Sequence, residues 1–167
     1  MKTFKIFIAL FAALIVQESI MPLVLPVSSA AGLQFVPDFL LVLLLLAAFP
    51  GHLGWSLCYA IIFGLIIDCT STQLLGVYAF GMTLSVYLTF QLSRFMNMNV
   101  ASVLLLCLTG VFINQSFIYL INLTVGATSL APLAFASDHL LPTLLLNGAF
   151  TLLFFYPMER LVRPTAK

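Results

Sequence analysis

Long apolar runs recur along the whole of this 167-residue chain, at residues 4–21, 36–49, 53–68, 74–93, 100–121 and 139–157. Four of them approach the roughly 20 residues that a helix needs to cross a bilayer. The second and third are shorter and are separated only by Pro50-Gly51-His52. Hydrophobic residues make up 63% of the chain and charged residues 7%, far from the make-up of soluble domains. No polar block is large enough to bury a core of its own, so residues 1–167 read as a single polytopic membrane domain without a soluble catalytic module. The expected fold is all-α: a six-transmembrane helix bundle with short second and third helices.

The count of six turns on residues 36–68. Pro50 removes a backbone donor and clashes with the preceding turn, and Gly51 follows it, which favours a break over one long helix. Charge tests the choice independently. With two helices there, all six Lys and Arg (Lys2, Lys5, Arg94, Arg160, Arg163 and Lys167) fall on one side, which the positive-inside rule makes cytoplasmic. A single long helix gives five crossings and splits these cations across the bilayer. A re-entrant hairpin over 36–68 keeps the same sidedness and stays open as a variant. Both termini are therefore expected in the cytoplasm. Lys2, Lys5 and the apolar IFIALFAALIV followed by VSSAAG resemble a cleavable signal peptide, but Pro22 and Pro26 intervene, which favours an uncleaved first helix.

Four of the five acidic residues, Glu18, Asp38, Asp68 and Asp138, then lie at or near the outer ends of helices, while Glu159 is cytoplasmic. Asp68 ends an oily run, where water or headgroups within reach lower the cost of its charge. Asp38 follows Pro37 at the start of a helix, where a carboxylate can cap free N–H groups, and Asp138 has a similar setting. The three cysteines, Cys58, Cys69 and Cys107, show neither metal spacing nor a disulfide framework and read as small core residues.

Polar and small residues form stripes. The fourth run carries Gly81, Ser85, Thr89 and Ser93 at four-residue steps; the fifth carries Gly110, Asn114 and Gln115; the sixth carries Thr143, Asn147 and Thr151. An unpaired amide in hydrocarbon is costly, so Asn114 and Asn147 should turn inward and find partners. The stripes serve either as glue between helices or as the wall of a polar cavity. Reaction chemistry finds little footing. Asp38 and Asp68 could share a proton as a dyad, but no GxGD-type motif surrounds either, and Ser71 has no base near it in sequence. His52 and His139 fall at opposite faces, and HExxH, Walker-A and GxGxxG patterns are absent, so neither metal nor cofactor is expected. Ionisable groups cluster at helix ends, which disfavours a proton or ion pathway.

The stretch VPDFLLVLLLLAAFPGHLGWSLCYAIIFGLIIDCTSTQLLGVYAF resembles the signature region of the rod shape-determining protein MreD family, with Pro37, Asp38, Gly64, Asp68, Ser71, Leu75 and Gly76 at the matching positions. LLNGAFTLLFFYPMERLVRP resembles that family's last helix and basic tail through Asn147, Gly148, Pro157, Arg160 and Arg163. One departure is Ser71-Thr72, where the family commonly has Ser-Gly. The resemblance implies a non-enzymatic component of the lateral wall-elongation machinery in the bacterial inner membrane. Its implied partners are membrane-anchored MreC above all, then actin-like MreB and the glycosyltransferase RodA with its penicillin-binding transpeptidase; no nucleic-acid partner is implied. The family is also similar in fold to the substrate-binding subunits of energy-coupling-factor vitamin transporters, which supplies an alternative function. Within the MreD reading, the stretch Asp68–Gly76 is expected to shape an outer-leaflet surface used by MreC, and Ala9 and Ala13 offer a small-residue face on the first helix.

Overall fold

The computed structural model describes residues 2–20, 34–50, 53–71 and 74–162. His52, Thr72, Arg163 and the small residues after Pro26 lie outside them. Helix α1 (Lys2–Ile15) runs into a π-helical turn (Val16–Ile20), and an irregular stretch, residues 34–38, leads into α2 (Phe39–Ala48). Then follow α3 (Leu53–Ser71), α4 (Val77–Ser93), α5 (Val100–Val125), the short α6 (Pro132–Ala134), a π-helical segment (Phe135–Leu140) and α7 (Leu141–Val162). Among the described residues there is no strand. Three stretches, Leu53–Thr70, Val100–Val125 and Pro132–Leu161, are long and apolar enough to cross a membrane as helices.

The distribution of polarity identifies the solvent. All ten residues of α2 are buried, which suits a helix that is apolar on every side and therefore sits at the centre. The helices around it expose Ile61, Ile62, Leu65, Phe112, Leu145 and Leu153, while Asp38, Asp68, Asn114, Gln115, Thr143, Asn147 and Thr151 are buried. A soluble protein does the reverse. Apolar outside and polar inside is the arrangement that lipid imposes on a helical protein.

The bundle has two distinct ends. At one, Gln34 donates its N–H to the carbonyl of Asp138 at 2.7 Å, and Gln34, Tyr78, Asn122 and Thr128 line a common cleft. At the other, Phe49, Pro50, Met98 and Glu159 gather round a small cavity, with Arg94 and Arg160 exposed in the neighbouring helix ends. These are called below the carboxylate end and the arginine end.

Local chemistry sets several boundaries. Asn99 Oδ1 accepts from Ser102 N–H at 2.8 Å and starts α5. Gly126, at φ 76°, ends it, with Ala127 N–H bonded back to Asn122 O at 2.8 Å. Helix α3 runs for 19 residues and is not short as the sequence led one to expect. Asp68 does not stop it; the helix continues through Thr70, whose Oγ1 donates back to Ile66 O at 2.9 Å. Of the two helices expected to be short only α2 is, with ten residues, because the apolar run begins in irregular backbone. Cys58 and Cys69 are exposed on α3, against the core placement expected of them, and Cys107 alone is buried.

Candidate functional site

The opening of α4 is held by a carboxylate from the preceding helix. Gly76, Tyr78 and Ala79 each donate a backbone N–H to the Asp68 side chain at 3.0 Å. The first N–H groups of a helix have no partner within it, and the positive end of the helix dipole favours an anion there. Asp68 is 1% exposed, so neither water nor headgroups stabilise it, as its position at the end of the run had suggested. The protein backbone takes their place. Two glycines permit the geometry. Gly76 has φ 95°, a left-handed conformation that turns the chain into α4. Gly64, one turn before Asp68, abuts Ala79 so closely that a Cβ would overlap the Ala79 Cα. Ser71 is the last residue of α3.

A second buried network surrounds Asp38. The irregular stretch 34–38 lies along α7, and side chains of that helix satisfy its backbone. Val36 N–H donates to Thr143 Oγ1 at 3.1 Å and Asp38 N–H to Asn147 Oδ1 at 2.9 Å. Asn147 Nδ2 donates to Val36 O at 3.1 Å and to Thr143 O at 2.8 Å. Pro37, between the two bonded N–H groups, has none to satisfy. Irregular backbone can exist within a membrane protein only where the protein itself supplies such partners. Asn147 is wholly buried and uses both amide hydrogens and its oxygen in this way.

The Asp38 carboxylate does not cap α2, in contrast to the local reading of the sequence. It accepts a hydrogen bond from Gln115 Nε2 of α5 at 2.5 Å. The Leu40 N–H near the start of α2 goes instead to Gln17 Oε1, from the π-helical turn after α1, at 3.2 Å. Asp138 is likewise no helix cap. It is exposed within the π-helical segment and accepts from Ser137 Oγ at 2.7 Å. Asn114, wholly buried, sits beside the Asp38 carboxylate, yet its amide makes no hydrogen bond of normal geometry. A Cβ on Gly81 would meet Asn114 Oδ1 at 2.7 Å. Ser85 is also buried, with its Oγ unpartnered, while its carbonyl accepts from Thr89 Oγ1.

The two aspartates therefore have separate partners and form no proton-sharing dyad. Tyr78 links their surroundings: its N–H binds Asp68, and its residue lines the cleft that Gln115 also lines. Pro157 and Arg160 lie far along α7 at the arginine end, both exposed, and take no part in either network. Helix α7 passes through Pro157 instead of ending there. Gln17 is the participant that the sequence did not single out. Its only signal was an amide near the end of an apolar run.

A sequence model of the family described as rod shape-determining protein MreD matches residues 1–165. Among curated proteins, a rod shape-determining protein MreD of Bacillus subtilis (strain 168) is 31% identical over 124 residues, which cover 74% of this chain and 72% of that protein. No solved structure matches the chain. With Pro37-Asp38 and Gly64-Asp68 placed in two buried networks, and with the match running along nearly its whole length, the chain belongs to the MreD family of rod shape-determining membrane proteins.

Proposed function

We propose that this chain is a non-catalytic inner-membrane subunit of the bacterial cell-elongation machinery, and that it scaffolds peptidoglycan synthesis through membrane contacts with MreC. The family match over residues 1–165 carries the reading. MreB, RodA and the penicillin-binding transpeptidase are then members of the same assembly, and lipid surrounds the apolar girdle.

Six crossings with both termini cytoplasmic agree with the geometry. The α2 helix of ten residues reaches about 15 Å, and the irregular five-residue stretch before it adds at most about 16 Å. Together they match the roughly 30 Å of a bilayer's hydrocarbon core. The segment leads from the carboxylate end to the arginine end, which favours a crossing over a re-entrant hairpin. Arg94 and Arg160 then face the cytoplasm.

Contact with MreC is assigned to the face of α1. Ala9, Ala12 and Ala13 line an apolar cleft of about 390 Å³ with Phe39 and Leu43 of α2 and Phe150 and Phe154 of α7. Small residues let a partner helix approach closely in lipid, and the cleft takes its side chains. Leu75, 75% exposed at the tip beside Asp68, offers a separate contact point.

Single-cysteine cross-linking in cells tests the assignment in a background lacking the native cysteines. Probes at Ala9 and Ala12 should capture MreC, whereas probes at Tyr87 and Leu88 of α4 should not. Capture only from α4 would reject the α1 face. Reporter fusions at Asn97 should be active in the cytoplasm and fusions at Thr128 outside it; the reverse pattern would reject the topology.

A further inference from the structure

The carboxylate end holds a cleft that neither the Asp68 clamp nor the Asp38 network uses up. It has a volume of about 300 Å³ and is lined by side chains from the irregular stretch and from α4, α5, the following loop and the π-helical segment. Its character is unusual for so apolar a chain. Gln34 and Asn122 bring two carboxamides to it, beside Gln115, whose Nε2 is given to Asp38; Tyr78 and Tyr119 bring phenols, the latter's O–H on Leu130 O, and Thr128 a hydroxyl, while among the described residues no Lys, Arg, Asp or Glu lines it. One wall is aromatic. Tyr119 and Phe135 stack at 4.1 Å between ring centroids, and His139 continues the stack at 5.3 Å from Phe135. His139 Nδ1 is buried and has no hydrogen-bond partner among the described residues.

We propose that this cleft binds one uncharged, hydroxyl-rich group of the size of a single sugar ring. Carboxamides offer donor and acceptor side by side, which matches groups that are themselves both donor and acceptor. Hydroxyls and neutral amides have this property; phosphates and ammonium ions do not. The absence of cations from the lining disfavours an anionic ligand, which proteins recognise through Arg and Lys. Val36 and Ile118, with the aromatic wall, offer apolar surface to the C–H face of a ring. A cleft of about 300 Å³ has room for one ring. An orphaned imidazole nitrogen gains an O–H donor when such a group enters.

The ligand can arrive as a free sugar or as the headgroup of a glycolipid, and the experiment separates the sources. The full chain, reconstituted in phosphatidylcholine nanodiscs free of sugar detergents, is titrated with N-acetylglucosamine under saturation-transfer difference NMR. A parallel sample contains monoglucosyl diacylglycerol, and native mass spectrometry compares its retention with that of phosphatidylcholine. Saturable transfer to the free sugar establishes a soluble ligand; selective retention of the glycolipid alone establishes a headgroup. Either signal should weaken about tenfold in Asn122→Ala and in Gln34→Ala, both on the cleft wall and outside the buried networks. Transfer from neither probe in the unsubstituted protein overturns the proposal. So does a signal that both variants leave unchanged. The unsubstituted protein reports directly, so a variant that fails to fold does not mask the result. The reading is independent of contact with MreC.

Discussion

Ala79 meets the end of α3 twice: its N–H is bonded to Asp68 at 3.0 Å, and its Cα lies against Gly64. One residue of α4 is thus fixed by a hydrogen bond and a steric contact that originate one helical turn apart.

Removing the clamp should be costly. Asp68→Ala leaves three backbone N–H groups without their acceptor, and hydrogen bonds to a charged group contribute about 1.5 to 3 kcal/mol each, not additively. A loss of about 3 kcal/mol is expected in reversible unfolding in micelles, with Asp68→Asn intermediate. Cells that depend on the variant should become rounded, and MreC should co-purify less. Unchanged stability would show that the clamp does not hold α4.

Gly64→Ala should weaken the hairpin by about 1 to 3 kcal/mol, as overpacking does. The overlap is with the Ala79 backbone, so the second substitution Ala79→Gly should fail to restore stability. Restoration in the double variant would mean that the contact is between side chains. Differential scanning of the purified variants distinguishes the two.

Asp38 and Gln115 should behave as a coupled pair. Gln115→Leu deprives a carboxylate that is 2% exposed of its amide partner, and a destabilisation of about 1 to 3 kcal/mol is expected. Adding Asp38→Leu should recover part of the loss, because replacing both partners costs less than stranding one. A double-mutant cycle should give an interaction energy of about 0.5 to 3 kcal/mol. Strict additivity would place the two side chains out of contact.

The cysteines offer a check on orientation. A lipid-soluble maleimide should label Cys58 and Cys69, which are exposed, and leave Cys107 unmodified until the protein unfolds. Mass spectrometry of single-cysteine variants would read the order directly, and early labelling of Cys107 would contradict the packing of α5.

The all-helical membrane character was legible from apolar length, and the inward turn of Asn114 and Asn147 from the cost of burying an amide, although only Asn147 finds partners among the described residues. The partners of the carboxylates were not. Capping arguments look a few residues ahead, whereas Gln115 lies 77 positions from Asp38. Asp68 stood out as a charge at the end of an oily run, yet its acceptor role depends on a turn that brings back N–H groups 8 to 11 positions later. The start of the helix at Asp38 was legible from Pro37, but the partners of the irregular stretch before it were not. Cys58 and Cys69 were misplaced because in lipid an apolar residue gains as much from facing outward as inward.

The stretch at 34–38 also constrains biogenesis. Val36 and Asp38 are translated 107 and 109 residues before the Thr143 and Asn147 side chains that satisfy their peptide groups. In the proposed six-crossing topology that stretch finds its partners only once the C-terminal helix has been made, so its insertion is expected to follow synthesis of α7. The polypeptide is therefore threaded out of order, and truncation before residue 143 should strand α2 at the membrane surface, where quality-control proteases can reach it.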